Sequence, residues 1–339
     1  MITATATPFL RNRLIRDAIG RAIYEVMKED NSVHLFGEGS LVKQHYDAPL
    51  IEKDFADRVH TLPISEDGDL NFAVGASLLG VRPVIDVITS DFLYRCMDSI
   101  ANTAAKLNFV NSPGEKPKTI VIRSEFLTVG PTTGQRPEAI FCHIPGLNVV
   151  IPSTPRDAYG LMLTALKTRG VTIFFEDRMI ADAETRREDR DTEDGRFLGK
   201  AIAFGHAAFR RESSQATLTI CTYGLMRQVV EKALDVQEAL PAVAFDLIDL
   251  RTLYPIDWGT LALSTKKTGK LLIIEPDVQY GGVGAEIAAT IAENNPVKVA
   301  RLGGPRQTIP ASSYLRNQSM PTEEEVLRAI RHEIHDPRA

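Results

Sequence analysis

The chain has 339 residues, a formal net charge of -5, and a composition of 44% apolar and 24% charged residues. These fractions are typical of a folded globular protein, and the length suffices for two hydrophobic cores. The mild negative charge argues against a surface for nucleic acid or anionic membranes, and no apolar run reaches the length of a membrane span. The scattered cysteines suit a reducing compartment and the N-terminal residues lack the apolar core of a signal peptide, so we expect a cytoplasmic protein.

The first half of the chain predicts alternating helices and strands. It opens with an amphipathic helix, because apolar side chains from Leu14 to Met27 recur at helical spacing. Strand-like runs follow at 33–36, 83–88, 119–123, 148–151 and 171–176, with helical stretches between them. This alternation is typical of a parallel sheet that is covered by helices on both faces.

A polar segment and a second α/β series follow. Segment 177–196 is rich in charged residues and can bury little apolar surface, so it predicts a linker or an exposed loop. Beyond Gly199, strand-like runs appear at 218–222, 243–248 and 271–274. The predicted fold class is therefore α/β, with two doubly wound domains.

The run Thr61-Leu62-Pro63-Ile64-Ser65-Glu66 places a carboxylate between a short buried strand and a helix. Ser65 stands at the position of an N-cap, and an acid in the first helical turn favours the positive end of the helix dipole. Taken alone, helix capping is therefore the simpler interpretation of Glu66. The motifs that follow Glu66 in the chain favour a second interpretation of this residue.

Those motifs occur in both halves of the chain. They are Phe72-Ala73-Val74-Gly75-Ala76-Ser77-Leu78-Leu79-Gly80-Val81-Arg82-Pro83-Val84, Asp91-Phe92, Thr222-Tyr223-Gly224, Asp249-Leu250-Arg251-Thr252-Leu253-Tyr254-Pro255 and Gly281-Gly282-Val283-Gly284. Their order resembles that of the β subunit of thiamine-diphosphate-dependent 2-oxo acid dehydrogenases of the pyruvate dehydrogenase type, and of two-component transketolases. The resemblance covers residues 12 to 335.

The resemblance implies a domain organisation and roles for three residues. It implies a pyrimidine-binding transketolase-like domain over 1–190 and a transketolase C-terminal-like domain over 197–339. In the family, the acid that matches Glu66 activates thiamine diphosphate by hydrogen bonding to its aminopyrimidine ring. Phe92 matches an aromatic residue that stacks on this ring, and Glu38 matches an acid at the cofactor edge. Ordinary core packing for Phe92 and a loop carboxylate for Glu38 are the simpler alternatives.

The family holds the diphosphate and its magnesium ion through a Gly-Asp-Gly motif and a later Asn, and Asp67-Gly68-Asp69 does not match this pattern. We therefore predict no metal site in this chain. The resemblance implies that an α subunit holds both groups in an α2β2 heterotetramer, and that the β chain alone is inactive. An acyl-carrier or lipoyl domain is a further expected partner, whereas nucleic acid and membranes are not.

One loop departs from the family. The family has a histidine in a His-Ser-Gln context shortly before Glu-Ala, and here Thr133 stands in its place ahead of Glu138-Ala139. Threonine cannot exchange protons near neutral pH as imidazole does. We predict that Thr133, Gln135 and Arg136 form a substrate loop, in which Arg136 is a cation suited to phosphate or carboxylate. His45 is a candidate to compensate for the missing histidine.

A glycine-rich turn at Gly281-Gly282-Val283-Gly284 follows a strand and precedes a helix. Such a turn can hold a phosphate at the helix N-terminus. A tight turn with close helix packing explains the same pattern, and we favour it because the phosphate signal is weak.

Three functions stay open. The overall match favours a decarboxylating β subunit that acylates lipoamide. Thr133 and Arg136 favour a specialised, biosynthetic transferase that generates an acyl or ketol carbanion and moves a small carbon unit to a carrier or acceptor, and we prefer this one. The third is a catalytically degenerate partner that only completes an interface, against which the intact Glu38, Glu66 and Phe92 argue.

Overall fold

The computed structural model describes residues 15–38, 48–110, 117–127, 130–181, 200–235 and 244–335. They fall into two compact units, one that ends at Glu125 and resumes over Ile144–Ala203, and one that comprises Phe126–His143 and the residues from Phe204 onward. The candidate residue His45 lies outside the described residues. The interval between 190 and 197 also lies outside the described residues. The predicted domain boundaries, 1–190 and 197–339, therefore stay a prediction.

The first unit is built on a parallel sheet. Its strands are β1 Val33–Glu38, β2 Val59–Leu62, β3 Arg82–Thr89, β4 Thr119–Phe126, β5 Leu147–Val150 and β6 Gly170–Asp177. They lie in the order β5-β6-β4-β3-β1-β2, and the pairs β1–β2, β1–β3, β3–β4 and β5–β6 are parallel. Every residue of β4 is buried, as expected of a central strand with both faces covered.

Helices follow most of these strands. Those of the first unit are Ile15–Glu29, Ala48–Phe55, Glu66–Leu78, Leu107–Val110, Pro155–Lys167 and Arg178–Ala181, with short turns of 3₁₀ or π helix at Ser90–Tyr94, Ser99–Thr103 and Ala104–Lys106. Helix Ile15–Glu29 packs against helix Pro155–Lys167. Thr154 is the N-cap of the second helix, and its side chain accepts a hydrogen bond from the backbone N–H of Asp157. Pro155 stands at the first helical position.

The second unit has a five-stranded sheet. Its strands are β7 Ala208–Arg211, β8 Thr219–Thr222, β9 Asp246–Asp249, β11 Lys270–Val278 and β12 Lys298–Gly304, in the order β12-β11-β8-β9-β7, and β10 Thr252–Tyr254 lies between β9 and the next helix in the chain. The helices are Glu138–Cys142, Leu225–Asp235, Trp258–Thr268, Val283–Asn294, Ser313–Arg316 and Glu323–His335. The edge strand β7 runs antiparallel to β9, whereas the pairs β8–β9, β8–β11 and β11–β12 are parallel.

The predicted fold class, two doubly wound α/β domains, is confirmed, with corrections in detail. Strands β2, β7, β10 and β12 are additions to the predicted elements. The predicted linker starts too early, because Asp177 ends β6 with its side chain buried and a helix occupies Arg178–Ala181. Residues 182–196 of that segment lie outside the described residues.

Candidate active site

Glu38 and Glu66 meet at the carboxyl end of the first sheet. Glu38 is the last residue of β1 and pairs in register with Leu62, the last residue of β2. The turn at 63–65 therefore returns the chain beside β1, and Glu66 opens helix Glu66–Leu78 there. Ser65 takes the predicted N-cap position, but its side chain makes no capping hydrogen bond. Its backbone N–H donates to the Glu38 carboxylate instead.

Two carboxyl groups at this position, Glu38 and Asp69, have a raised proton affinity. Burial, followed by the negative charges of Glu66 and Asp69, raises the pKa of Glu38 to about 7. Burial and the charge of Glu66 likewise raise the pKa of Asp69 to about 6. Glu38 Oε1 is buried and has no hydrogen-bond partner among the described residues. A group that holds a proton near neutral pH and has an unused buried oxygen is suited to a polar ligand atom.

A buried arginine balances the acids behind this pair. Asp86 on β3 is adjacent in register to the end of β1, because it pairs with Gly37. The Arg123 guanidinium on β4 lies 3.8 Å from Asp86 Oδ2 and 2.6 Å from Glu176 Oε1 on β6. Burial raises the pKa of Glu176 although the adjacent Arg123 opposes this shift. Charged residues thus occupy four neighbouring strands of the sheet.

Phe92 lies on a segment that reaches the Glu66 side chain. It is half-buried in the 3₁₀ turn Ser90–Tyr94, directly after β3. Arg95 follows it, and its Nε lies 3.8 Å from Glu66 Oε2. The thiol of Cys96 donates to the Phe92 carbonyl oxygen at 3.6 Å, and burial together with the charges of Asp67 and Glu66 raises the pKa of this thiol to about 12.

A polar network fixes this segment against the start of helix Glu66–Leu78. Asn71 Nδ2 donates to the Ser99 hydroxyl at 2.7 Å, and it also donates to the backbone carbonyl of Asp67 at 2.9 Å. The Ser99 hydroxyl in turn donates to the Asp67 carboxylate. The structure therefore brings Glu38 and Glu66 together, and it holds the segment of Phe92 beside them.

The predicted substrate loop belongs to the second unit. Thr133 is buried, and its hydroxyl donates to the Gly130 carbonyl oxygen at 3.4 Å. Gly134 has a φ of 113°, a left-handed backbone value that strongly favours glycine. Gln135 is half-buried and Arg136 is buried.

The glycine-rich turn at Gly281–Gly284 is a packing feature, as the sequence favours. Gly284 N–H donates to Glu275 Oε2 at 2.9 Å, so a carboxylate of the chain itself occupies this helix N-terminus. A Cβ atom at Gly282 would lie 2.5 Å from Glu275 Oε2, and one at Gly284 would lie 2.6 Å from Oε1. The glycines let the helix approach Glu275 closely.

Sequence reasoning missed Asp69, Asp86 and Arg123, which shape the electrostatics around Glu38. Two of them carried a signal, since Asp86 and Arg123 each interrupt an otherwise apolar strand run. A charged residue inside a strand that is buried on both faces needs a partner. Asp69 carried none, because an acid in the first turn of a helix is common for capping reasons alone.

The described residues contain no group of three or more His, Cys, Asp or Glu side chains placed to hold a metal ion. Within the same residues, no helix combines the length and the apolar composition that crossing a membrane requires.

Comparisons with known proteins cover both units. Residues 12–182 match the family model "Transketolase, pyrimidine binding domain", and residues 205–326 match "Transketolase, C-terminal domain". The chain is 32% identical over 333 residues to the 2-oxoisovalerate dehydrogenase subunit beta 2 of Arabidopsis thaliana, covering 94% of this chain and 88% of the relative. It is 31% identical to the pyruvate dehydrogenase E1 component subunit beta of Rickettsia felis, covering 94% and 97%.

The chain belongs to the family of transketolase-like β subunits. Among solved structures, this transketolase-like chain is similar to a split gene transketolase described as an inactive beta4 tetramer, with a TM-score of 0.77 and 20% identity over 95% of this chain and 98% of that one. A 2-oxoglutarate:ferredoxin oxidoreductase from Magnetococcus marinus aligns with a TM-score of 0.65 and 13% identity, covering 95% and 65%. The family predicted from the motifs is confirmed, and the roles of the site residues stay predictions.

Proposed function

We propose that this chain is the β subunit of a two-chain, thiamine-diphosphate-dependent enzyme that transfers an acyl or ketol unit to a carrier or other acceptor. The observation that carries the proposal is the pair Glu38 and Glu66 at the carboxyl end of the first sheet, where the pKa of Glu38 is raised to about 7. Ligands of open α/β sheets bind at this end of the strands.

The residues at this position fit the pyrimidine end of the cofactor. Glu38 Oε1 is buried with no hydrogen-bond partner among the described residues, and the Glu66 side chain keeps 13% of its area exposed. Bound thiamine diphosphate supplies a carbon nucleophile that attacks a substrate carbonyl. In this proposal Glu66 accepts the hydrogen bond that polarises the pyrimidine ring, Glu38 holds a proton at the ring edge, and Phe92 provides an aromatic face for stacking.

An α subunit completes the enzyme in this proposal and holds the diphosphate with its magnesium ion. Supporting this, Ile64 and Phe72 flank Glu66 in the chain, and their side chains are 82% and 56% exposed. Large apolar side chains exposed together around a polar site mark an interaction surface. An α2β2 heterotetramer is the assembly we propose.

The choice of acceptor separates two candidate functions. Thr133 supports specialised transfer, since this buried hydroxyl cannot serve as the proton carrier that a histidine would be. The curated relatives support the second candidate, a 2-oxo acid dehydrogenase component that acylates a lipoyl domain, because their names describe 2-oxoisovalerate and pyruvate dehydrogenase subunits. The intact pair Glu38 and Glu66 speaks against a partner without catalytic function.

The test is an acceptor assay on this chain co-expressed with an α subunit and supplied with thiamine diphosphate and magnesium. Pyruvate, branched 2-oxo acids and ketose phosphates are offered as donors, with a lipoyl domain or an acyl-carrier protein as acceptor, and products are read by mass spectrometry. Transfer to the carrier with the lipoyl domain unmodified supports specialised transfer. Acyl-lipoyl product establishes the dehydrogenase function, and no transfer from any donor contradicts both.

A further inference from the structure

Arg136 connects the two ends of the substrate loop. Its guanidinium carbon lies 3.6 Å from the centre of the Phe126 ring, and Phe126 is the last residue of β4, where the loop begins. Its Nε donates to Glu138 Oε1 at 3.1 Å, and Glu138 is the first residue of the helix that ends the loop. One side chain therefore stacks on the residue before the loop and pairs with the residue after it.

Both members of the ion pair are deeply buried. Glu138 has no exposed surface and Arg136 is 8% exposed. A buried charge that loses its partner is strongly destabilising, because water cannot replace the lost interaction. The planar guanidinium is suited to both contacts at once, since it can stack on a ring face while its edge donates to a carboxylate.

Two further acids, Asp277 and Glu275, lie near this ion pair. Burial, followed by the charge of Glu138, raises the pKa of Asp277 to about 8, so this acid is mostly neutral at pH 7. Glu275 accepts from Gly284 N–H at 2.9 Å and pairs with Arg301 at 2.8 Å. Glu138 is thus the acid that pairs directly with Arg136, at 3.1 Å.

Over residues 130–134 of the loop, two features favour one backbone path. Gly134 takes a left-handed conformation, and the Thr133 hydroxyl donates to the Gly130 carbonyl oxygen. A fixed path gives the side chains of Thr133 and Gln135 fixed directions. Such pre-organisation is what a substrate-positioning loop requires.

The geometry points to Arg136 as a positioning residue that holds the two ends of the substrate loop together by stacking on Phe126 and pairing with Glu138. We call this arrangement the Arg136 bridge. In this role Arg136 is not the substrate-binding cation that its sequence suggests. The loop's role in acceptor use rests on the proposed function. The Arg136 bridge itself is independent of that function.

The Arg136 bridge is tested by hydrogen–deuterium exchange on the full-length chain. In Arg136→Met, amide exchange over 127–137 is expected to rise about tenfold or more, because the loop opens locally without unfolding the unit. Arg210→Met is the matched control, since Arg210 pairs with buried Asp249 at 2.8 Å in the same unit. It should leave exchange over 127–137 unchanged. The double variant Arg136→Met/Glu138→Gln leaves no unpaired charge and should open the loop equally if the single variant fails to fold.

The Arg136 bridge is contradicted if amide exchange over 127–137 stays at the wild-type rate in both Arg136 variants. It is also contradicted if this rate rises equally in Arg210→Met. The role in acceptor use is read separately on the complex with the α subunit. There Arg136→Met should raise the KM for the acceptor and leave exchange of the cofactor C2 proton within about twofold of wild type. An unchanged KM overturns the positioning role. Failure of the wild-type complex to exchange the C2 proton contradicts the proposed function, and the amide-exchange result stands independently of it.

Discussion

At the scale of single residues, the main finding is how much the setting of Glu38 changes its chemistry. The family motif identifies the residue, but its proton affinity depends on Glu66, Asp69 and Asp86, which other elements bring to the end of β1. Burial disfavours the carboxylate form, and the neighbouring negative charges disfavour it further. A carboxyl group that titrates near neutral pH is suited to hold or release a proton under working conditions.

The raised pKa of Glu38 predicts a pH dependence of stability. Between its ordinary value of 4.5 and about 7, the folded chain keeps a proton on Glu38 that the unfolded chain has released. This contribution to the free energy of unfolding is fully present below pH 4.5 and is lost as the pH rises through 7. In Glu38→Gln the contribution no longer varies with pH. Chemical denaturation at pH 5 and pH 8 should therefore give a smaller difference for the variant than for wild type.

Glu324→Gln is the control for this prediction, because Glu324 is an exposed acid in the second unit whose surface pair contributes little. It should retain the wild-type difference between the two pH values. An identical difference in Glu38→Gln and wild type would show that Glu38 titrates normally in the folded chain.

The candidate site was predictable from sequence only in part. Glu38, Glu66 and Phe92 stand in motifs, so a linear pattern finds them. Asp69 on a helix and Asp86 and Arg123 on strands act through proximity in space, and neither spacing nor residue type along the chain reveals which of them become neighbours. For Arg136, the sequence shows a cation in a loop but not the ring and carboxylate that bury it.

At the scale of elements, the run His143-Ile144-Pro145-Gly146-Leu147 is a further motif that resembles the family pattern, and Gly146 has a steric role in it. This residue has a φ of 95°, and a Cβ atom there would lie 2.1 Å from the Ala105 carbonyl oxygen. The turn into β5 therefore depends on the missing side chain. The motif marks close backbone approach as well as family membership.

Gly146→Ala should destabilise the first unit by about 1–3 kcal/mol or more, because the backbone must move and the left-handed conformation is strained. Chemical denaturation measures the loss. Gly75→Ala is the matched control in the same unit, since a Cβ atom there meets nothing within 4 Å inside helix Glu66–Leu78. That variant should be neutral or more stable by about 0.5–1 kcal/mol. Equal stabilities of the two variants would contradict the steric account.

Elements were predictable where the apolar pattern is long, and less so at the edges of the sheets. Strands such as β3, β4 and β6 contain apolar runs and are buried over most of their length, so both of their faces need to be covered. The edge strand β7 is half-buried and polar in part, and β2 is short with no fully buried residue, so neither produces a strong period. The antiparallel pairing of β7 depends on its neighbour β9 and has no local signature.

At the scale of the whole molecule, the exposed apolar residues Leu79 and Phe109 indicate a covered surface. Leu79 follows helix Glu66–Leu78, and Lys118 hydrogen bonds both to the Leu78 carbonyl oxygen and to Asn108, which precedes Phe109. These bonds place the end of helix Glu66–Leu78 close to helix Leu107–Val110, which contains Phe109. Leu79 and Phe109 thus belong to one neighbourhood on the first unit.

The double variant Leu79→Glu/Phe109→Glu should lose association with the α subunit. Because both side chains are 89% exposed, the free energy of unfolding of the isolated chain should change by no more than about 0.5 kcal/mol for each substitution. Sedimentation of the co-expressed chains measures assembly. Leu263→Glu, an exposed site on a helix of the second unit, is the control and should assemble normally. Normal assembly of the double variant would place the α subunit elsewhere.

The central claim is that Glu66 activates the cofactor, and exchange of the C2 proton of thiamine diphosphate in the α–β complex tests it most directly. Glu66→Gln should assemble as wild type but exchange this proton about a hundredfold more slowly or worse, because the amide cannot share a proton with the pyrimidine ring. Glu293→Gln, which changes an exposed acid of the second unit, should exchange at the wild-type rate. Wild-type exchange in an assembled Glu66→Gln complex would contradict the account.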